Sequence, residues 1–451
     1  MKSRKVSISD VISVSRLDGK FHNAEVNIYD SLIRKHSSHT LGDLCTDVFT
    51  SSRGKRMYTS REYGYPYLSN SDMLAVDPYI SCNFMSRKYG YEEKALLKEG
   101  MIVTGRVGAI GQIAFVPGFW EDMCTMGSDN IFRICLKESI RKGFVYAYLA
   151  SKVGYLSFWK LATGGVQPYV TDGMIRTIAI PNFPEDLQEQ IDELIWESAR
   201  LKGEAYKVIC KAHEIIESNI GKIPSSTRCG SVGNQRLCSM LHKRFEASYH
   251  VGEKRDVEEF IKCKFSYVTL DSLCSSIFKP NIFKRSYVSS NGYQLLGGAD
   301  MMKAVPRIEK LISRHQVQSM PELLLKDGWI LITRAGTIGN TMYADSILSS
   351  QIVSEDVLRV VPKEKSDSGY LYAYLTSSYG QKNITLYTYG SVIQHIEAEH
   401  LRGIPIPIIG EDARNEIDKL MGEYVKMIED SKSFEIKAIN LVEDEISKWT
   451  E

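Results

Sequence analysis

The sequence predicts an α+β protein: two related mixed domains, each followed by a long helix, with the two helices pairing antiparallel as a coiled coil. Three observations predict this. The chain is written twice. Gly143-Phe144-Val145-Tyr146-Ala147-Tyr148-Leu149 returns as Gly369-Tyr370-Leu371-Tyr372-Ala373-Tyr374-Leu375, and Arg176-Thr177-Ile178-Ala179-Ile180-Pro181 returns as Arg402-Gly403-Ile404-Pro405-Ile406-Pro407, each 226 positions on. Upstream the offset is 228, where Arg106-Val107-Gly108-Ala109-Ile110-Gly111 returns as Arg334-Ala335-Gly336-Thr337-Ile338-Gly339. A unit this long is a whole domain, not a solenoid repeat. Each copy also closes on a long proline-free stretch with apolar residues at helical spacing, and each contains short apolar runs punctuated by Gly, Ser and Asp. Two copies of one fold imply pseudo-twofold symmetry and a ligand that offers two similar sites a fixed distance apart.

Residues 1–183 form the first domain. Its strand-like runs are Met101-Ile102-Val103-Thr104, Ile113-Ala114-Phe115-Val116 and Ile131-Phe132-Arg133-Ile134, with Gly108 and Gly111 marking the tight turn between the first two. A short helix follows at about 138–154. Residues 184–222 read as one helix. Glu185 to Ile220 holds no Pro, and Leu187, Ile191, Leu194, Ile195 and Ala199 begin an apolar stripe that continues to Ile216. Pro184 sits near the first turn, where its missing N–H costs little. Ile223-Pro224-Ser225-Ser226-Thr227 breaks the helix and begins a linker over 223–234. Residues 235–409 repeat the domain, with strands at Ile330-Leu331-Ile332-Thr333, Thr341-Met342-Tyr343-Ala344 and Val357-Leu358-Arg359-Val360 and a short helix at about 365–380. Residues 410–451 repeat the helix, striped by Ile417, Leu420, Met421, Tyr424, Ile428, Ala438, Val442, Ile446 and Trp449. Helices this long without internal caps suggest a coiled coil, and the simplest burial is one against the other. Packing of each helix on its own domain is the alternative.

Composition narrows the function. Apolar and charged shares of 43% and 25% describe an ordinary globular protein with no membrane-length apolar run. A formal net charge of +1 means that any nucleic-acid contact rests on local patches or on basic partners. Nine cysteines without a CxxC pair, behind an N-terminus with no apolar signal core, fit reduced thiols in a cytoplasm.

Four motifs are candidates for binding. The Arg-x-Gly-x-Ile-Gly turns present Arg106 and Arg334, either to a phosphate or base edge or simply to solvent from a hairpin turn. Neither turn is a P-loop, because no Gly-Lys-Ser/Thr follows. Ala162-Thr163-Gly164-Gly165-Val166-Gln167-Pro168-Tyr169-Val170 is mirrored by Thr388-Tyr389-Gly390-Ser391-Val392-Ile393-Gln394-His395. Small residues there allow close backbone approach, and a Gln can pair bidentately with adenine. Thr163, Gln167, Tyr169, Ser391 and Gln394 are therefore candidate contacts, against the plainer reading of a structural tie to the long helix. Arg53, Lys55, Arg56 and Arg61 form a basic loop, and Lys279, Lys284 and Arg285 lie at the corresponding place in the second copy. Aromatic neighbours and Gly or Pro in both loops suit phosphate contact.

Catalytic patterns are missing. His395-Ile396-Glu397-Ala398-Glu399-His400 is not HExxH and has no counterpart in the first copy, so no metal site is expected. Asp77-Pro78-Tyr79 lacks the second Pro of an adenine-methyltransferase loop, and there is no Walker motif. The chain reads as a reader without an engine.

This pattern resembles the specificity subunit of type I restriction–modification systems. The resemblance rests on the two Arg-x-Gly-x-Ile-Gly turns, the Tyr-Ala-Tyr-Leu helices, the Thr-Gly-Gly-Val-Gln-Pro loop, and Ile178-Ala179-Ile180-Pro181-Asn182-Phe183-Pro184-Glu185-Asp186-Leu187-Gln188-Glu189-Gln190-Ile191. The second copy departs at Ile408-Ile409-Gly410-Glu411-Asp412-Ala413-Arg414, which lacks the Pro and the Glu-Gln pair. The resemblance implies two target recognition domains, each reading half of a split duplex DNA sequence. It implies a non-catalytic chain whose long helices act as spacer and dock two methyltransferase subunits, with Leu187, Ile191, Leu194, Ile417, Leu420 and Tyr424 on the docking stripes. Restriction subunits are further candidate partners. S-adenosylmethionine, ATP and Mg would then belong to those subunits, and this chain would carry no cofactor. A reader in another methylation-based defence system and a twin-domain protein-binding scaffold are the alternative functions.

Overall fold

The computed structural model describes residues 5–19, 21–222, 237, 244–245, 247–250, 253–308, 310–390 and 394–449. The expected linker at 223–234 lies outside them. The chain folds into two compact units: Met1–Gly203 with Asp430–Glu451, and Glu204–Glu429.

The first unit is built on two four-stranded sheets. One is antiparallel, in the order Cys45–Phe49, Ile131–Leu136, Ile102–Gly105, Ile113–Phe115. Its two central strands are buried along most of their length, so neither shows the polar–apolar alternation of a half-exposed strand. The other sheet runs Tyr58–Thr59, Asn83–Ser86, Gly64–Leu68, Met126–Gly127, and its last pair is parallel. The second unit repeats both sheets in the same order, with Cys274–Phe278, Val357–Pro362, Ile330–Thr333, Thr341–Tyr343 and with Tyr287–Val288, Leu311–Ser313, Gly292–Leu296, Ile352–Val353. Sequence duplication is thus duplication of topology.

A buried arginine ties the two sheets together in each unit. Arg133 and Arg359 lie on the central strands with 0% exposure. Arg133 donates to the carbonyls of Ile131 (2.8 Å), Ala95 (2.8 Å) and Gly127 (2.5 Å). Arg359 donates to those of Ser354 (2.8 Å), Val353 (2.5 Å) and Val357. Burial pushes both guanidinium groups down to about 10, which leaves them cationic at neutral pH. Gly127 and Val353 belong to the second sheet, so one side chain satisfies strand ends that would otherwise be orphaned.

The single short helix expected at about 138–154, and its copy at about 365–380, are each two helices. Lys142–Ala150 and Lys152–Leu161 break at Ser151; Asp367–Thr376 and Ser378–Leu386 break at Ser377. The hydroxyl of each serine accepts from the N–H of the glycine three residues on, Gly154 (3.2 Å) or Gly380 (3.4 Å), and so caps the new helix. The break brings the new helix against the end of the old one. A Cβ on Gly154 would stand 2.3 Å from the Tyr148 carbonyl oxygen, and one on Gly380 2.2 Å from that of Tyr374. Only glycine fits this elbow.

The long helices run Glu185–Ile220 and Glu411–Lys448. The second begins at the residue equivalent to Glu185, despite its different lead-in. In the first unit, residues 185–203 pair with 430–448 antiparallel. The Phe183 and Trp449 rings meet edge-on at 5.4 Å, while Ser198 and Ser431 join hydroxyls at 3.0 Å. Ile191, Ile195 and Ala199 share one core with Ala438, Val442 and Ile446. The same helix half also seals its own domain. Trp196 stands edge-on to Phe115 at 4.9 Å, and Asp192 accepts from the Gly143 N–H at 2.6 Å. In the second unit Lys211 pairs with Glu416 at 2.9 Å, Asp418 accepts from the Tyr370 N–H at 2.7 Å, and the Tyr372 and Tyr424 rings lie 6.0 Å apart. Both expected burial modes therefore operate at once.

That double burial corrects the docking stripe. Ile191, Ile417, Leu420 and Tyr424 are buried, and Leu187 and Leu194 pack partly buried against the first unit's core. These side chains are spent largely on packing within the two units.

Candidate nucleic-acid interface

In each unit the fold brings the separate sequence motifs into one place. The turn after strand Ile102–Gly105 has Gly108 at φ +80° and Gly111 at φ +71°; the copies are Gly336 at +77° and Gly339 at +86°. This left-handed backbone is what glycine is there to supply. The turn is bonded to the second motif. The Val170 N–H donates to the Arg106 carbonyl at 3.2 Å, and the Ile396 N–H donates to that of Arg334 at 3.1 Å. The second motif is itself a small hairpin: Thr163 and Tyr169 exchange backbone hydrogen bonds of 2.9 and 2.8 Å, and Tyr389 and His395 exchange bonds of 3.0 and 2.8 Å. Gly164 and Gly390, at φ +95° and +98°, turn the two hairpins.

The first unit's hairpin presents Gln167 and Tyr169 as exposed side chains, with Val166 wholly exposed between Gly165 and Gln167. Thr163 is half-buried. Gln394 is exposed on the second hairpin, and Ser391 lies outside the described residues.

The basic loops fall at equivalent positions, because Phe49 pairs with Arg133 as Phe278 pairs with Arg359. Several of the candidate cations already have acidic partners within the unit. Arg56 pairs with Asp129 at 2.7 Å, and Arg285 with Glu355 at 3.0 Å, the same ion pair in both copies. The hydrogen bond to Asp129 raises Arg56 above its ordinary value. Arg334 is held by Glu397 (2.7 Å) and Asp356 (3.1 Å), and Lys279 lies 3.6 Å from Glu397. Arg53, Lys55, Arg106 and Lys284 are exposed, and among the described residues no ion pair engages them. Arg61 lies over the Phe84 ring at 5.7 Å.

Sequence reasoning missed two features. On the smaller sheet Arg87 lies over Tyr65 at 5.3 Å, and at the equivalent place in the copy Arg314 lies over Tyr293 at 5.2 Å. Each is an exposed cation on an aromatic face, the chemistry that meets a phosphate or a base plane. Strand pairing alone creates these partnerships, so no short motif announces them. The acids that hold Arg56, Arg285 and Arg334 were also missed, although Glu397 sits within the His395–His400 string considered for metal. Among the described residues no group of three His, Cys, Asp or Glu is placed to hold a metal.

Among the described residues, one concavity lies at the foot of each long helix. A groove of about 610 Å³ is lined by Arg141, Glu185, Gln188, Asp192 and Trp196. Its counterpart of about 370 Å³ is lined by Asp367, Glu411, Arg414 and Asp418.

Residues 264–438 match the family described as type I restriction modification DNA specificity domain. Over those residues the resemblance read from the sequence is borne out. Among solved structures the chain is similar to the type I S subunit from M. genitalium, at 13% identity over 91% of this chain and 94% of that one, with a TM-score of 0.34. The HsdS subunit from Thermoanaerobacter tengcongensis aligns at 14% identity over 91% and 95%, with a TM-score of 0.25. The type IIG restriction endonuclease BpuSI aligns at 12% over 42% and 30%, with a TM-score of 0.30. No curated protein matches the chain at a significant level. Among the described residues no helix is long and apolar enough to cross a membrane.

Proposed function

We propose that this chain is the DNA-specificity subunit of a type I methylation or restriction–modification assembly, reading a bipartite duplex target with one half-site per unit. The observation that carries the reading is the composite surface found twice: a glycine turn with its arginine, a hairpin with its glutamine, a basic loop and a cation on a tyrosine. Phosphate contacts from the loops would set position, and Gln167, Gln394 and the turn arginines would read base edges in a groove. A helix of 36 residues is about 54 Å long, enough to separate half-sites by one or more DNA turns of roughly 34–36 Å. The near-neutral charge fits a subunit whose partners share the phosphate contacts.

Chemistry would reside in those partners: two adenine-N6 methyltransferase subunits using S-adenosylmethionine and, where present, restriction subunits using ATP and Mg. The grooves at the helix feet would offer such partners a surface beside the partly buried stripe. Mapping methylated adenines with and without this gene tests the reading. Loss of methylation at one split sequence supports it; an unchanged methylome, or methylation by the purified chain alone, refutes it. Deleting two helical turns from both long helices should shorten the spacer between half-sites, and an unchanged spacer would remove their role as ruler.

A further inference from the structure

The two units differ at the turn arginine. In the second, the Glu397 carboxylate is a hub. It accepts from Arg334 at 2.7 and 3.1 Å and from the Tyr389 hydroxyl at 3.0 Å, and its other oxygen faces Lys279 at 3.6 Å. Asp356 takes the remaining side of Arg334 at 3.1 Å. Arg334 is left 17% exposed. The hydrogen bond from Arg334 holds Glu397 below its ordinary value, so the carboxylate is charged at neutral pH.

In the first unit every member of this hub except the arginine is replaced. Strand pairing sets Thr50 opposite Lys279 in the alignment of the copies, the hairpins set Thr163 opposite Tyr389, and the short helices Asp172–Arg176 and Ala398–Arg402 set their N-caps Thr171 and Glu397 opposite each other. Asn130 stands where Asp356 does, and both offer a backbone carbonyl to the turn arginine, at 2.8 and 3.0 Å. Arg106 is exposed, with no ion pair among the described residues.

We infer that Glu397 is a specificity-determining residue: it closes Arg334 and Lys279 against non-specific phosphate and yields only when a duplex offers Arg334 a base-edge acceptor in its place. This rests on the DNA-reading function proposed above. The physical reason is competition. A phosphate approaching Arg334 brings negative charge against two carboxylates, Glu397 and Asp356, and is repelled by both. A guanine edge is neutral, meets no such repulsion and takes an arginine bidentately. Arg106 has no such gate, so the first unit supplies general affinity while the second supplies selectivity.

The experiment uses the full-length chain and measures its dissociation constant for a random-sequence duplex and for its selected target across a salt series. E397Q keeps the shape and removes the charge. It should bind random duplex about 3- to 10-fold more tightly at low salt, with a salt slope steeper by about one phosphate contact, and its target-to-random ratio should fall. T171E installs the carboxylate beside Arg106 and should weaken random binding by about as much, giving a test that does not depend on E397Q folding. If both variants keep the parent's circular dichroism and melting temperature and neither changes affinity or slope, the gate is refuted. If the unaltered chain binds no duplex, the DNA-reading function itself falls, and this is a distinct outcome.

Discussion

Glu435 is the test of how the first unit's sheets and short helices are fixed to its long helices. It lies on the second long helix with 3% exposure. One carboxylate oxygen accepts from the Tyr146 hydroxyl. The other accepts from Lys202 and, at 3.5 Å, from the Ser198 hydroxyl. Burial, then the charge of Glu435, pushes the Tyr146 phenol well above its ordinary value, so it remains a donor. Glu435→Ala strands a half-buried ammonium and a buried hydroxyl. Breaking such a site from one side costs about 3–5 kcal/mol. For a unit of this size 1 kcal/mol moves the melting temperature by about 2–4 °C, so the first unit should melt about 6–20 °C lower. Thermal unfolding combined with hydrogen exchange gives the readout. Protection should fall in 142–150 and 185–203 and hold in 367–376, whose Tyr372 faces the Tyr424 ring instead. A variant melting within about 2 °C of the parent, or one losing protection equally in both units, would refute the assignment.

Other outcomes follow from the same geometry. Gly154→Ala and Gly380→Ala should each cost about 1–3 kcal/mol or more in chemical denaturation, because the obstructing atoms are backbone. Gly165→Ala, with nothing within 4 Å, should stay within about 0.5 kcal/mol, and equal costs at all three positions would contradict the elbow. Near pH 8, iodoacetamide should label exposed Cys263 well ahead of Cys45 and Cys274, whose thiols burial pushes up to about 12, leaving a thiolate fraction of about one in ten thousand; matching rates would mean those sites open readily. Arg87→Ala and Arg314→Ala should each weaken duplex binding several-fold and lower the salt slope by about one, each at a different half-site. Unchanged affinity would make the cation–tyrosine pairs structural.

The fold was legible wherever local pattern and tertiary role agree. The duplication, the strand runs around Gly108 and Gly336, and the long helices all follow from periodicity and turn chemistry. The elbow at Ser151 was not, because Tyr-Ala-Tyr-Leu-Ala-Ser-Lys-Val-Gly reads as continuous helix until one knows that Gly154 must touch the Tyr148 carbonyl. The candidate site was legible as motifs and not as electrostatics. Arg106 and Arg334 occupy equivalent turns, and only side chains far along the chain decide that one is open and the other held. Likewise the stripe through Ile191 and Ile417 leaves open whether the other helix or the helix's own domain covers it, since periodicity reports that a face is buried but not what buries it.

The division of the long helices has a consequence for synthesis. The second unit is one uninterrupted stretch, Glu204–Glu429, whereas the first needs residues 430–448 to close the core around Ile191, Ile195 and Ala199. A ribosome makes the first unit's sheets early and its last wall only after the whole of the second unit. The later-encoded unit can therefore finish folding while the earlier one still waits, open, for residues 430–448.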